Sequence, residues 1–280
     1  MALLNVLSIQ RGCVYDGPGI RTTVFFKGCV LNCPWCCNPE SISLEKQFFV
    51  DEEKCLKNRG IVSFICKDCI KNDGVNALED CPLGISIPVS RLYSIDEIID
   101  EIMKDISLFN SSGGGVTLSG GEPLLHSKQL LPLIGYLKEK CSIYLETTLL
   151  PDNIESKELL NLCSGVIIDL KFQRENNLQN KKYYIDTLKK NIRTLTENKI
   201  DVIYRLVFVD SVYEDRTIII GLLKEIAVDK LELLMCHNLA QKKYKKLGMK
   251  NVDFTPKRDK FDSFVSYLTD SGIESIILNV

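Results

Sequence analysis

The sequence predicts an α/β protein whose core is a parallel β-sheet flanked by helices. From about residue 94 onwards, short runs rich in β-branched residues alternate with amphipathic helical patterns. This alternation is typical of βαβ units, which form parallel sheets. Six or seven such units could close into a full barrel or curl into a partial one, and a chain of 280 residues is long enough for either.

The predicted elements follow one another in a regular order. The run TTVFF at residues 22–26 predicts the first strand, and Ser94-Ile95-Asp96-Glu97 has the spacing of a capping box. An isoleucine stripe after that box predicts a helix that reaches Ile106. Further strands are predicted near residues 116–119, 142–147, 165–171, 202–209, 231–236 and 275–279. Helices are predicted near residues 127–140, 155–163, 181–198, 214–228 and 258–271. Functional side chains are expected at the carboxyl ends of the strands.

Residues 46–92 interrupt the alternation and are predicted to form an insertion, so that the main domain comprises residues 1–45 and 93–280. The insertion has little hydrophobic periodicity and is too small to bury a core of its own. Its cysteines are Cys55, Cys66, Cys69 and Cys81. We expect the insertion to fold around a metal centre.

Composition and charge exclude several classes of partner. The net charge is −2 without a basic face, which gives no basis for binding nucleic acid or an anionic membrane. The first residues lack the features of a secretory signal, and no apolar run reaches the ~18–20 residues of a membrane-spanning helix. We therefore expect a cytoplasmic protein. Twelve cysteines, nine of them within the first 81 residues, then indicate metal or cluster binding rather than disulfides.

Three cysteines share one short segment with the spacing C-x3-C-x2-C: Cys29, Cys33 and Cys36. Three thiolates can hold three irons of a 4Fe–4S cubane and leave the fourth iron open to a ligand. Gly28, just before them, would let the backbone bend close to such a cluster. The alternative for this segment is a zinc knuckle, for which Cys37 would supply the fourth thiolate.

With Trp35 at the aromatic position, this segment matches C-x3-C-x-aromatic-C and resembles the radical S-adenosylmethionine superfamily. The resemblance implies that the amino and carboxylate groups of S-adenosylmethionine chelate the open iron. It also implies that one electron from the reduced cluster cleaves the sulfonium, which gives methionine and a 5′-deoxyadenosyl radical.

Other segments resemble one branch of that superfamily, the glycyl-radical-enzyme activating enzymes. Residues 15–21 (YDGPGIR) are similar to its D-G-P-G-x-R segment, residues 119–123 (SGGEP) to its G-G-E motif and residues 169–171 (DLK) to its D-x-K motif. The residues that the resemblance assigns to cofactor binding are Trp35, Asn38, Gly120, Gly121, Glu122, Glu146, Thr147, Asp169, Lys171 and His237. Among them, Glu122 would help fix the methionine amino group. Asp16 and Arg205 are the candidates for positioning the backbone of the target.

The chain departs from the family pattern in two places. The usual C-H-N after the cluster reads Cys36-Cys37-Asn38 here. The family's D/E-T-N-G, near the ribose and a possible monovalent cation, reads Glu146-Thr147-Thr148-Leu149. The first two residues of that motif are retained, and the Asn and Gly are replaced.

The insertion resembles the ferredoxin-like inserts of the larger activating enzymes, which usually carry eight cysteines for two clusters. This insertion has four, which fit one 4Fe–4S cluster without an open iron. Zinc held by the same four thiolates is the alternative.

Taken together, the motifs predict a partial (β/α)6 TIM-type barrel with a small cysteine-rich ferredoxin-like insertion. The implied function is that of an anaerobic oxidoreductase, a radical enzyme that abstracts a hydrogen atom from a glycine of a partner glycyl radical enzyme. The implied reductant is flavodoxin or ferredoxin, and the expected state is a monomer. The alternatives are a radical enzyme acting on a small molecule or another peptide, and a non-catalytic iron–sulfur or zinc protein for electron transfer or binding. The lysine-rich run at residues 241–246 is expected to be a solvated helix face.

Overall fold

The computed structural model describes residues 3–56, 58–61, 63–66, 81, 83–172, 178–213 and 215–279. In these ranges, no helix has both the length and the apolar character needed to cross a membrane.

A nine-stranded sheet forms the body of the protein, in the order β11-β10-β9-β8-β7-β6-β2-β1-β5. Its strands are β1 (Leu3–Cys13), β2 (Arg21–Phe26), β5 (Arg91–Ser94), β6 (Gly115–Gly120), β7 (Ser142–Thr147), β8 (Gly165–Leu170), β9 (Asp201–Phe208), β10 (Lys230–Met235) and β11 (Glu274–Leu278). The strands from β2 to β11 in this order pair in parallel, whereas β1 runs antiparallel to both β2 and β5. The sheet has two edges, β5 and β11, so the barrel is partial, as predicted.

Helices cover the outer face of the sheet between the strands. They are α1 (Ile95–Met103), α2 (Ile106–Ser112), α3 (Ser127–Leu137), α4 (Ile154–Leu162), α5 (Leu178–Glu197), α6 (Arg216–Glu225), α7 (Gln241–Lys246) and α8 (Arg258–Asp270). Each strand and helix predicted from the sequence is present within a few residues of its expected bounds, apart from the isoleucine helix. The alternation of strands and helices is therefore confirmed.

Alternate residues of the strands face opposite sides of the sheet, because the side-chain period of a strand is two. The outward residues of β6, β7 and β8 are apolar and fully buried in the main core: Val116, Leu118, Ile143, Leu145, Val166 and Ile168. Each such side chain contributes roughly 1.5–3 kcal/mol by leaving water. The inward residues are largely polar, and hydrogen bonds such as that from Ser119 to Glu146 join them across the barrel interior. The fold therefore separates an apolar stabilising layer from a polar interior.

The isoleucine stripe forms two helices rather than the single one predicted. The capping box at Ser94 and Glu97 is present, but α1 ends at Met103. Asp105 turns its buried carboxylate inward, where it accepts hydrogen bonds from Arg11 and from the Thr22 hydroxyl at 2.6 Å. The helix is interrupted there because Asp105 joins α1 and α2 to strands β1 and β2.

The segment before β2 fills the end of the barrel opposite the cysteine loop. The Arg21 guanidinium is buried and donates hydrogen bonds to the Thr117 hydroxyl at 2.6 Å and to the carbonyl of Pro18 at 2.9 Å. It also lies 4.6 Å from the ring centre of Tyr144. Burial lowers the pKa of Arg21 to about 10. Gly19 has a φ of +71°, and a Cβ there would lie 2.5 Å from the amide nitrogen of Gly114. The D-G-P-G-x-R segment is thus a tightly folded closure of the barrel.

In the insertion, the structure describes a two-stranded antiparallel sheet of β3 (Phe48–Val50) and β4 (Ser86–Pro88). Cys55, Cys66 and Cys81 lie in this region, whereas Cys69 falls outside the described residues. Among the residues that are described, no group of three Cys, His, Asp or Glu side chains has the geometry to hold a single metal ion. The main sheet resumes at Arg91, two residues before the predicted boundary at residue 93.

The carboxylate of Asp105 should stabilise the fold in a pH-dependent way. The hydrogen bonds from Arg11 and from Thr22 hold the pKa of Asp105 below its ordinary value and outweigh burial, which alone would raise that pKa. We expect Asp105→Asn to lower the unfolding free energy by about 1 kcal/mol at neutral pH. Because the pKa of Asp105 is lower in the folded state, its contribution to the unfolding free energy is complete above the unfolded-state pKa of about 3.9. This contribution disappears as the pH falls through the folded-state pKa.

Chemical denaturation between pH 7 and pH 3 measures this effect. Asp100→Asn, at an exposed position on α1, is the matched control and should show no such pH dependence. An Asp105→Asn penalty that stays constant down to pH 3 would contradict the assignment.

Candidate active site

A cavity opens at the carboxyl ends of the strands, where the sequence predicted functional side chains. Its volume is about 190 Å³, and it is partly open to solvent. The predicted residues that line it are Cys29, Cys33, Trp35, Cys36, Asn38, Gly120, Gly121, Glu146, Thr147, Asp169, Lys171 and His237. The fold therefore brings together residues that are up to about 200 positions apart in the chain.

The three cysteines of the C-x3-C-x2-C segment lie on one loop after β2, and the base of this loop is closed by its own backbone. The Gly28 amide donates to the carbonyl of Ser41 at 2.7 Å, and the Cys29 amide donates to that of Ile42 at 3.0 Å. Within the loop, the Leu31 amide donates to the Cys29 sulfur at 3.4 Å. Burial raises the pKa of the Cys29 thiol to about 11 and that of Cys36 to about 12.

The paired glycines at the end of β6 allow this strand to meet the cysteine loop. Gly120 has a φ of +110°, and a Cβ there would lie 2.3 Å from the Phe26 amide nitrogen. A Cβ on Gly121 would lie 2.0 Å from the Gly28 carbonyl oxygen. Only residues without a side chain fit at these two positions, because the atoms they would meet belong to the backbone.

Glu122 is the one predicted cofactor residue that does not line the cavity. Its carboxylate is fully buried and accepts hydrogen bonds from the Thr147 hydroxyl at 2.5 Å and from the Thr148 amide and hydroxyl at 2.9 and 2.6 Å. Burial raises the pKa of Glu122 despite these donors. In this structure Glu122 joins the ends of β6 and β7, and its contact with a methionine amino group stays a prediction.

The departure from the family pattern at residues 148 and 149 has a structural account. Thr148 supplies two of the donors to Glu122. Leu149 takes a φ of +59°, a conformation that favours glycine, and its side chain is fully buried. The amide of Asn191 donates to the Leu149 carbonyl at 2.9 Å and so helps hold this turn. The turn is therefore kept in a left-handed conformation without the glycine of the family.

The inner wall of the cavity carries an arranged set of charges. The carboxylate of Glu146 accepts from Arg205 at 2.6 Å and from the Ser119 hydroxyl at 2.5 Å. Burial alone would raise the pKa of Glu146, but Arg205 and Ser119 outweigh it and hold that pKa below its ordinary value. Lys171 pairs with Asp169 at 2.5 Å. Although burial alone would lower the pKa of Lys171, the Asp169 carboxylate raises it.

Arg205 and Asp16 lie below the cavity rather than on its wall. The Arg205 guanidinium is buried between Glu146 and Glu232, with a hydrogen bond of 2.7 Å to Glu232, and it also donates to the Tyr15 carbonyl. The Asp16 carboxylate accepts from the Thr23 hydroxyl at 2.6 Å. The Arg205 donors thus serve two carboxylates and a carbonyl, and the role of Arg205 in positioning a target backbone stays a prediction.

Several residues at the site were not found from the sequence. Lys27 is fully buried, and its ammonium donates to the Glu40 carbonyl and the Gln47 side chain, both at 2.7 Å. Burial lowers the pKa of Lys27 to about 8. The expectation of a solvated face for α7 is wrong for Lys243 and Tyr244, which hydrogen-bond the cysteine loop. The contacts of α7 join segments about 200 residues apart and those of Lys27 cross a turn of 13 to 20 residues, so neither is visible in a local sequence pattern.

An open parallel barrel with a three-cysteine loop at its carboxyl edge defines a class of iron–sulfur enzymes. A family model described as "4Fe-4S single cluster domain" matches residues 15–192. The chain is 34% identical to the pyruvate formate-lyase 2-activating enzyme of Escherichia coli, over 87% of this chain and 81% of that protein. It is 31% identical to the trans-4-hydroxy-L-proline dehydratase activating enzyme of Clostridioides difficile, over 88% of each.

A solved domain of a pyruvate-formate lyase-activating enzyme from Bacteroides vulgatus aligns with 59% of this chain and 99% of that domain, at 24% identity and a TM-score of 0.42. These sequence relatives establish the family of the chain. It belongs to the glycyl-radical-enzyme activating enzymes, which are radical S-adenosylmethionine enzymes. The predictions of the family, of a 4Fe–4S cluster and of S-adenosylmethionine as cofactors are confirmed.

The close approach of Gly121 to the cysteine loop gives a sharp test of the geometry. We expect Gly121→Ala to lower the unfolding free energy by about 1–3 kcal/mol, because its methyl group would push the Gly28 backbone away. The displaced loop should also retain less iron after reconstitution. Gly135→Ala in α3 is the control, since a Cβ there meets nothing within 4 Å.

Denaturant unfolding of the apoprotein and iron counts on the reconstituted protein measure both effects. The control should be neutral or up to roughly 1 kcal/mol more stable, because alanine favours a helix interior over glycine. Equal behaviour of the two variants would refute the close approach.

Proposed function

We propose that this chain generates a glycyl radical on a partner enzyme, with S-adenosylmethionine bound beside a 4Fe–4S cluster that Cys29, Cys33 and Cys36 hold. The observation that carries the proposal is that these three cysteines, on one loop, face the same cavity as the polar ends of four parallel strands. When bound, the cluster and S-adenosylmethionine supply one-electron cleavage of the sulfonium, which yields the 5′-deoxyadenosyl radical that abstracts the glycine hydrogen.

The residues present fit these groups. Three thiols on one loop are the donor set of a cubane with one open iron. The wall opposite them carries carboxylates, and one oxygen of Asp169, Oδ1, is buried without a hydrogen-bond partner among the described residues. A buried carboxylate oxygen without a partner is unfavourable unless a ligand completes it. The amino group of S-adenosylmethionine or a monovalent cation would supply that partner.

In this proposal the chain's own residues bind and orient the cofactor and exclude water from it. Lys171 fixes the Asp169 carboxylate, and Arg205 fixes that of Glu146, so that neither has to reorganise when the cofactor enters. Gly120 and Gly121 let the end of β6 lie directly against the cysteine loop, which keeps the cavity wall next to the cluster site. Trp35, Asn38, Thr147 and His237 supply the remaining predicted contacts on the cavity wall.

Below the cavity, we propose that Arg205 and Asp16 are positioning residues for the target. Arg205 holds the Tyr15 carbonyl, and the Thr117 hydroxyl donates to the Asp16 carbonyl at 2.6 Å. Both contacts hold the loop that closes the barrel interior. The target would then meet a rigid floor, which favours a near-attack arrangement of its Cα–H.

The partner is proposed to be a glycyl radical enzyme. The relatives are named for the activation of different enzymes of this kind, among them a (2S)-3-sulfopropanediol dehydratase in Klebsiella oxytoca, to whose activating enzyme this chain is 29% identical over 97% of its own length and 96% of that protein. We further propose a monomer that works in an anaerobic cytoplasm and receives electrons from flavodoxin or ferredoxin.

For residues 46–92 we propose a second domain with one more 4Fe–4S cluster, held by Cys55, Cys66, Cys69 and Cys81. Four thiolates in a segment with a small two-stranded sheet and 3-10 turns support this reading. Zinc in the same position remains the competing assignment.

Anaerobic turnover of the reconstituted protein tests the proposed reaction. With dithionite and S-adenosylmethionine, the wild type should form 5′-deoxyadenosine, and Cys33→Ala should lose this product by at least about two orders of magnitude because the cubane loses a ligand. Cys13→Ala, outside the cavity on β1, is the control and should retain it. Failure of the reduced, cluster-loaded wild type to cleave S-adenosylmethionine would refute the proposal and favour an electron-transfer role.

Metal counts and electron paramagnetic resonance separate the remaining alternatives. About eight irons per chain would support two clusters, whereas about four irons and one zinc would assign zinc to the insertion. A glycyl radical should appear on a purified glycyl radical enzyme from the same organism, and not on its glycine-to-alanine variant. Formation of 5′-deoxyadenosine with no radical on any such enzyme would favour a small-molecule or peptide substrate.

A further inference from the structure

The helix α7 lies against the cysteine loop although it is more than 200 residues away in the chain. Backbone hydrogen bonds tie the base of this loop at Gly28 and Cys29. The far part, with Cys33 and Cys36, extends beyond those bonds. It is this far part that α7 contacts.

Two neighbouring side chains of α7 make the contact. The Lys243 ammonium donates to the Glu40 carboxylate at 2.6 Å, to the Asn38 side-chain oxygen at 2.8 Å and to the Cys37 carbonyl at 3.3 Å. All three of its protons are thus used on a stretch of four residues directly after Cys36. The Tyr244 hydroxyl donates to the Cys36 carbonyl at 3.0 Å, and its ring is buried.

Glu40 accepts hydrogen bonds from two lysines, one at its carboxylate and one at its carbonyl. Lys27, at the end of β2, donates to the Glu40 carbonyl at 2.7 Å, while Lys243 holds its carboxylate. The carboxylate of Glu40 is nearly buried, and a buried carboxylate is stable only when it is paired. Glu40 therefore joins the barrel and α7 at the point where the cysteine loop returns.

We propose that Lys243 and Tyr244 are positioning residues that hold the cysteine loop in the form that binds the cluster. Lys243 also places a positive charge at Asn38, two residues after the cluster ligand Cys36, where it favours the reduced, more negative state of the cluster. The inference rests on the part of the proposed function in which Cys29, Cys33 and Cys36 hold a 4Fe–4S cluster, and it adds a role for α7.

Lys243→Met removes the charge and all three hydrogen bonds at nearly constant length. In the reconstituted protein we expect iron release to a ferrous chelator to be about tenfold faster or more, because charge-assisted hydrogen bonds are the strong ones. We also expect a lower reduction potential for this cluster. Lys242→Met, its exposed neighbour on the same helix, is the matched control and should change neither value appreciably.

Tyr244→Phe serves as a second variant that keeps the buried ring and loses one hydrogen bond. We expect faster iron release than in the wild type but slower release than in Lys243→Met. The double variant Lys243→Met with Glu40→Gln should speed iron release by less than the two single variants together would, because the Glu40 charge is no longer left unpaired.

The proposal is overturned if Lys243→Met and Tyr244→Phe have the same iron-release rate and the same cluster reduction potential as Lys242→Met. It is also overturned if Lys243→Met lowers the thermal midpoint of the apoprotein by as much as it lowers that of the holoprotein, since α7 would then support only the fold. Iron release and potential are measured without cleavage of S-adenosylmethionine. Failure of the proposed reaction therefore leaves this result readable by itself.

Discussion

The hydrogen bond from the Glu122 amide to the Gly28 carbonyl, 2.7 Å long, joins the end of β6 to the base of the cysteine loop. The same Gly28 donates to Ser41 and closes the loop, while Gly121 allows the approach by having no side chain. The carboxylate of Glu122 points the other way and accepts hydrogen bonds from Thr148 at the end of β7. One turn thus connects the loop, β6 and β7. The position of the three cysteines relative to the strand ends depends on it.

A second constraint is the charged interior of the barrel. Buried carboxylates are costly unless they are paired, and here Arg205 lies between Glu146 and Glu232 while Lys171 holds Asp169. This arrangement keeps fixed charges next to the cavity on side chains that are largely buried. Fixed dipoles and charges stabilise a bound cofactor without reorganising, which suits chemistry that passes through a reactive radical. The outer apolar layer of the sheet provides the stability that such an interior lacks.

Sequence patterns predicted the seven strands of the parallel sheet well, because strands buried in an α/β protein are continuous β-branched runs between amphipathic helices. They missed β1, whose residues become a strand only by pairing with β2 and β5. They also extended the isoleucine helix past Asp105, because a buried pairing with Arg11 is not visible in a local pattern. Twelve of the residues predicted from the motifs line one cavity, whereas the contacts of Glu122 and Arg205 within the chain were not visible in the sequence.

The sequence by itself determined the class of chemistry and the edge of the sheet where it occurs. Cysteine spacing depends on a single loop, and the glycine and acidic motifs end individual strands, so both can be read locally. Only the tertiary structure decided how these pieces are held. It decided that Thr148 satisfies Glu122, that Leu149 takes a left-handed turn, and that Lys243 and Tyr244 reach the cysteine loop. Such contacts join residues far apart in the chain, and their energies come from burial and pairing that no local pattern contains.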